Sequence, residues 1–187
     1  MLISIRTTFT LGVLCLLSCG KSSTGDPIIN IPRQLAFEGR GFTDQGTYPK
    51  LYTCDSLGIS PGLQWSKAPA GTQSYAVTMH HFPPTYPTEP KHVYYVVYNI
   101  PSTASSLQEN NTTVGSFGIN TVDRKNKYSP PCSQGPGAKT YYLTLYALNG
   151  QPAIAVPAAQ VTMDVLLNGI RGKILDSAVL TVTYTRF

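Results

Sequence analysis

The chain has 187 residues, of which only 12% are charged, and its formal net charge of +5 comes from Lys and Arg residues that are scattered rather than clustered. Such a distribution gives no support to a nucleic-acid partner. Gly (16), Pro (15) and Tyr (12) are plentiful, a mixture that favours short strands and turns over long surface helices, so the expected fold class is all-β.

The first expected element is a signal segment over residues 1–18. Arg6 supplies a positive start, and residues from about Phe9 to Leu17 form an apolar run too short to cross the ~30 Å of a bilayer core. The run closes on Leu16-Leu17-Ser18-Cys19, a small residue followed by cysteine, in the form of a bacterial lipoprotein processing site. Cys19 is the expected lipidation site and the first residue of the mature chain; an ordinary secretory signal with an incidental cysteine is the plainer alternative. Acyl chains, at about 0.8 kcal/mol per buried methylene, would hold the protein to a membrane. Gly20 after the cysteine favours an outer-membrane or surface destination, so the expected location is the bacterial cell envelope, through a lipid anchor.

Residues 19–35 are polar, contain Gly25, Pro27 and Pro32, and show no sustained period, so they read as a tether. One domain is expected over 36–187. Strand-length apolar runs follow between turn signals: Leu63 to Ser66, Tyr75 to Met79, Val93 to Ile100, Tyr141 to Leu148 and Ala178 to Tyr184. Val93 to Ile100 is apolar or aromatic at both parities, which predicts a central strand covered on both faces. One helix is predicted between about Thr162 and Ile174, where Met163, Leu166, Leu167, Ile170 and Ile174 keep helical spacing; Gly169 and Gly172 weaken it by about 1 kcal/mol each relative to Ala. Glu109 to Ala138 lacks any period, and a loop of that length inside a compact domain is usually functional. The overlapping sequons at Asn110 and Asn111 fit only a glycosylating host, at odds with a bacterial signal.

Cys15 would leave with the signal and Cys19 would carry lipid, so the folded part keeps Cys54 and Cys132. An even pair in an exported protein suggests a disulfide, with two buried thiols as the alternative. Gly58-Ile59-Ser60-Pro61-Gly62 spells a G-x-S-x-G nucleophile elbow, but the mechanics contradict it. The residue after the serine must donate a backbone N–H to the oxyanion, and Pro61 has none.

Taken together, several segments resemble the phosphatidylethanolamine-binding protein family, in particular its bacterial branch of Raf-kinase-inhibitor-like proteins. They are Tyr52-Thr53-Cys54-Asp55, Ser60-Pro61-Gly62-Leu63-Gln64-Trp65, Pro69-Ala70-Gly71-Thr72-Gln73-Ser74, Val96-Val97-Tyr98-Asn99-Ile100-Pro101, Tyr128 with Pro131-Cys132, and Leu145-Tyr146-Ala147-Leu148. The likeness covers nearly all of Phe42 to Arg186. It implies a β-sandwich with one or two peripheral helices and a small surface pocket for phosphate-type or other anionic groups.

The inferred pocket positions are where this chain departs from the family. For D-P-D-A-P it has His81-Phe82-Pro83-Pro84, so His81 and Pro83 replace both carboxylates. For the histidine of H-W-V it has Tyr94, with His92 two residues earlier on the same strand face. For G-x-H-R-Y it has Gly137-Ala138-Lys139-Thr140-Tyr141, placing Lys139 at the histidine and Thr140 at the arginine. His81, Tyr94 and Lys139 keep hydrogen-bond donors and remove negative charge, so an anion is still welcome. Lys139 would act as a point charge without the fork of arginine. The expected ligand-binding residues are His81, Tyr94, Lys139, His92, Tyr128 and Pro131.

His80, His81 and His92 lie close in sequence, but adjacent strand residues face opposite ways, so only one of the first two can join His92. That leaves at most two imidazoles, and Cys132, the candidate third ligand, competes with the disulfide, so no metal or cofactor is expected. The expected function is therefore a non-enzymatic, lipid-anchored envelope protein that binds a small anionic ligand. The alternative is an interaction or inhibitor protein acting on an envelope protease or kinase, its protein partner unknown.

Overall fold

The computed structural model describes residues 34–132, 134 and 136–186. The expected signal segment, Cys19 and nearly all of the expected tether lie outside the described residues. Leu35, at the end of that tether, is already buried, and the backbone amides of Gln34 and Leu35 both donate to Asp176 Oδ2 at 3.0 Å.

Among the described residues eight strands form two sheets. They are β1 (Ala36–Gly39), β2 (Leu63–Ser66), β3 (Ser74–His81), β4 (His92–Pro101), β5 (Ser106–Leu107), β6 (Ser116–Phe117), β7 (Lys139–Leu148) and β8 (Ile174–Tyr184). One sheet has the order β1-β2-β5 and the other β6-β4-β3-β7-β8, all neighbours antiparallel. The fold is an all-β sandwich. Alternation places Phe37, Leu63, Trp65 and Leu107 of the small sheet against Val77, Met79, Val97, Leu143, Leu145 and Val182 of the large one, in one buried cluster.

The outer face of the large sheet is covered as the both-parity pattern of β4 requires. Val93, Val96 and Tyr98 turn outward onto Val161, Met163, Leu166 and Ile170, while Tyr95 and Val97 turn inward. This division shifts parity within β4 because of a bulge. Met79 pairs with Tyr95 but His80 pairs with Val93, so Tyr94 is the extra residue and its side chain shares the inner face with Tyr95. The carbonyl of Tyr94 is taken by the Ser129 amide at 2.9 Å.

The helix, α1 (Met163–Gly169), is shorter than the spacing predicts. Thr162 caps it, its hydroxyl accepting from the Val165 amide at 3.2 Å. Gly169 permits a close crossing: a Cβ there would sit 2.9 Å from the Ala153 carbonyl oxygen, and the Gly169 carbonyl accepts from the Ala153 amide at 2.8 Å. Gly172, at φ +75°, then turns the chain into β8, and Ile174 is an exposed strand residue, not the last member of a helical stripe. Strands β1, β5 and β6 are too short to carry a legible period, and β6 lies within the long loop.

Cys54 and Cys132, 78 positions apart in sequence, are joined in a disulfide with their Cα atoms 5.2 Å apart. A bridge over a loop of that length stabilises by about 4 kcal/mol in the chain-entropy model. The Cys54→Ser, Cys132→Ser double variant is expected to lower the denaturation free energy by roughly 2–4 kcal/mol in urea titrations relative to the oxidised protein.

Candidate functional site

Antiparallel pairing decides where the site forms. β4, β3 and β7 are neighbours, β3 ends at His81, β4 begins at His92 and β7 begins at Lys139, so these three residues meet at one end of the large sheet. His81 and His92 are direct cross-strand partners. They line a hollow of about 470 Å³ with Pro83, Pro84, Tyr94, Thr121, Val122, Cys132, Gln134 and Lys139. Four of the six sequence-predicted binding residues are thereby brought together.

Tyr128 and Pro131 are not. The Tyr128 ring is buried beneath the site, edge-on to Tyr95, and its hydroxyl donates to the Tyr52 carbonyl at 2.5 Å. With that proton committed, the contact of 3.1 Å with the Tyr48 hydroxyl has Tyr48 as donor. Pro131 is buried and accepts from the Cys54 amide at 3.1 Å, so it braces the disulfide and leaves the lining to Cys132.

Each histidine of the hollow is fixed through one ring nitrogen. His81 Nδ1 lies 2.8 Å from the Thr140 carbonyl oxygen, which can only accept, so this nitrogen carries the proton. His92 Nε2 lies 2.8 Å from Glu89 Oε1. Glu89 is itself held below its ordinary value, first by the Thr85 hydroxyl and then by His92, so it stays a carboxylate and accepts. In the neutral rings the lone pairs therefore reside on His81 Nε2 and His92 Nδ1. The ring centroids are 6.1 Å apart.

Tyr94 forms part of the floor, packed edge-on to Tyr141 with centroids 5.4 Å apart. Burial first, and the adjacent Tyr141 hydroxyl second, push its phenol well above the ordinary value, so it remains a neutral hydrogen-bond donor. Lys139 is half-buried, and its Nζ reaches the Pro136 carbonyl only at 3.5 Å. Among the described residues no carboxylate lines the hollow, the Glu89 carboxylate lying on the far edge of the His92 ring. Thr121, Val122 and Gln134 come from the long loop between Glu109 and Ala138, which the sequence marks as functional as a whole but not residue by residue; Thr121 is drawn in by exchanging hydrogen bonds with the backbone of Val93.

His80 points to the opposite face of β3, as strand alternation demands. It stacks on Tyr142 with centroids 5.4 Å apart and meets Phe82 edge-on at 4.8 Å, and its Nδ1 is buried without a hydrogen-bond partner. Among the described residues no group of three or more His, Cys, Asp and Glu side chains is placed to hold a metal ion.

Comparison with known proteins agrees with this architecture. Residues 38–185 match the family model of phosphatidylethanolamine-binding protein, and the chain belongs to that family. A UPF0098 protein of Chlamydia muridarum is 34% identical over 142 residues, spanning 73% of this chain and 89% of its own length. One from Aquifex aeolicus is 33% identical over 155 residues, spanning 79% and 86%. A phosphatidylethanolamine-binding protein homologue of Chlamydia trachomatis superposes with a TM-score of 0.74 at 27% identity, over 83% of this chain and 99% of that one. YbcL of Escherichia coli shares the fold, with a TM-score of 0.71 at 21% identity over 82% and 99%.

Burial, with the charges of Lys91 and His81 as lesser causes, pushes His80 down to about 4 from an ordinary 6.5. Between those values the unfolded chain binds a proton that the folded chain refuses, so the associated stability is present above pH 6.5 and lost as pH falls towards 4. The loss is on the order of 2 kcal/mol once solvent screening is allowed for. Thermal melts at pH 7 and pH 4.5 are expected to show a smaller acid-induced drop for His80→Phe than for the unsubstituted protein.

Proposed function

We propose that this chain is a lipid-anchored binding protein of the cell envelope whose hollow accepts a small phosphate-type anion and does no chemistry on it. The observation that carries this reading is the make-up of the lining: Lys139, two imidazoles, the Tyr94 phenol, Thr121 and Gln134, with no carboxylate among them. An anion entering such a space meets the Lys139 ammonium, the Tyr94 and Thr121 hydroxyls and the Gln134 amide, while the imidazole N–H groups are committed to the Thr140 carbonyl and to Glu89. Pro83, Pro84 and Val122 add apolar walls that lower the local dielectric and strengthen those contacts. A single ammonium in place of a guanidinium supports modest affinity rather than tight planar recognition.

Inorganic phosphate tests the pocket. In chelator-treated protein, phosphate at ten times its Kd is expected to raise Tm by roughly 2–4 °C, and Lys139→Met to remove that shift while leaving the ligand-free Tm nearly unchanged. No shift up to tens of millimolar would reject the anion reading. The anchor is tested separately. Cys19→Ala is expected to move the protein from the membrane fraction to the soluble one and to abolish labelling by a clickable palmitate analogue.

A further inference from the structure

We infer, resting on the anion reading above, that the hollow selects an oxyanion carrying a proton of its own, free hydrogenphosphate, and rejects oxyanions without one, with His81 and His92 as the discriminating residues. Both rings line the hollow as hydrogen-bond acceptors. His81 spends its N–H on the Thr140 carbonyl and His92 on the Glu89 carboxylate, each at 2.8 Å, so His81 Nε2 and His92 Nδ1 carry the lone pairs.

The surroundings hold the rings in that state. Thr140 is fixed in the β7–β8 ladder opposite Thr183, and Glu89 is oriented by the Thr85 hydroxyl, 2.8 Å from its other oxygen. The ring centroids are 6.1 Å apart, which puts no nitrogen of one ring within hydrogen-bond reach of the other. Among the described residues no protein donor takes either lone pair, the Lys139 ammonium being turned towards the Pro136 carbonyl. His80 Nδ1, on the opposite face of β3, is sealed away from any ligand, whereas His81 Nε2 stays open to the hollow.

An incoming oxyanion therefore meets two kinds of group. Lys139, Thr121 and Gln134 donate to its bare oxygens, while the two imidazole lone pairs repel a bare oxygen and accept from an O–H. Hydrogenphosphate and sulfate are both tetrahedral dianions, and only the first has an O–H to give. The same rule excludes esters. A phosphodiester has no O–H at all, and a phosphomonoester loses its second proton at about pH 6. Free inorganic phosphate, rather than a lipid headgroup, is the ligand this arrangement defines.

The test is calorimetric titration of the full chain at fixed ionic strength and about pH 8, above the range in which ordinary imidazole takes up a proton. The probes are inorganic phosphate, arsenate, sulfate, methyl phosphate and dimethyl phosphate. Phosphate and arsenate, which keep a proton at that pH, are expected to bind comparably, and the other three at least about 10-fold more weakly. His92→Phe, at a half-exposed position, is expected to shrink the phosphate-to-sulfate ratio by a factor of about 3 or more, and His80→Phe to leave it unchanged. Equal affinity for phosphate and sulfate, or a ratio preserved in His92→Phe, would overturn the selection and leave the anion reading standing. Binding of none of the five would overturn both.

Discussion

The antiparallel pairing of β3 with β4 on one side and β7 on the other is the constraint from which the rest of the molecule follows. It runs seven backbone ladder positions deep between β3 and β4 and seven between β3 and β7, and it leaves no freedom in which side chains meet at the sheet's end. Because side chains alternate, fixing this register simultaneously fixes the core and the hollow. Met79, Leu143 and Val97 enter the core for the same reason that His81 and His92 enter the hollow.

Beneath the hollow the core is unusually phenolic. Tyr48, Tyr52, Tyr94, Tyr95, Tyr128 and Tyr141 are all buried in one cluster, and each must place a hydroxyl as well as a ring. The directed sequence from Tyr48 to Tyr128 to the Tyr52 carbonyl shows how this is met. A buried polar chain of this kind costs little when every member is satisfied and a great deal when one is not.

The sandwich and four of the pocket residues were legible because they rest on period and on local motif. Strands β2, β3, β4, β7 and β8 each carry enough alternating or continuous apolar sequence to be read, and the segments around Tyr52, Trp65 and Asn99 supply the family likeness. The overlong helix arose because Ile174 continues a stripe of the right spacing, and spacing does not reveal that Gly172 ends it. Tyr128 and Pro131 were misplaced by motif proximity: they flank Cys132 in the chain, yet only Cys132 reaches the hollow. Thr121 and Gln134 lie in the periodless Glu109 to Ala138 stretch, which reads as a functional loop without showing which of its residues reach the hollow; for Thr121 that is settled by its hydrogen bonds to Val93.

The bulge at Tyr94 also locks the alignment of the whole sheet. A strand that is apolar at both parities could slide by one residue against its neighbour with little change in how greasy either side looks, and such slippage invites mispaired or swapped assemblies. With Tyr94 a supernumerary residue at a fixed place, any slide would misalign the kink and leave the Tyr94 carbonyl away from the Ser129 amide that accommodates it. An irregularity in the ladder thus serves as its index mark.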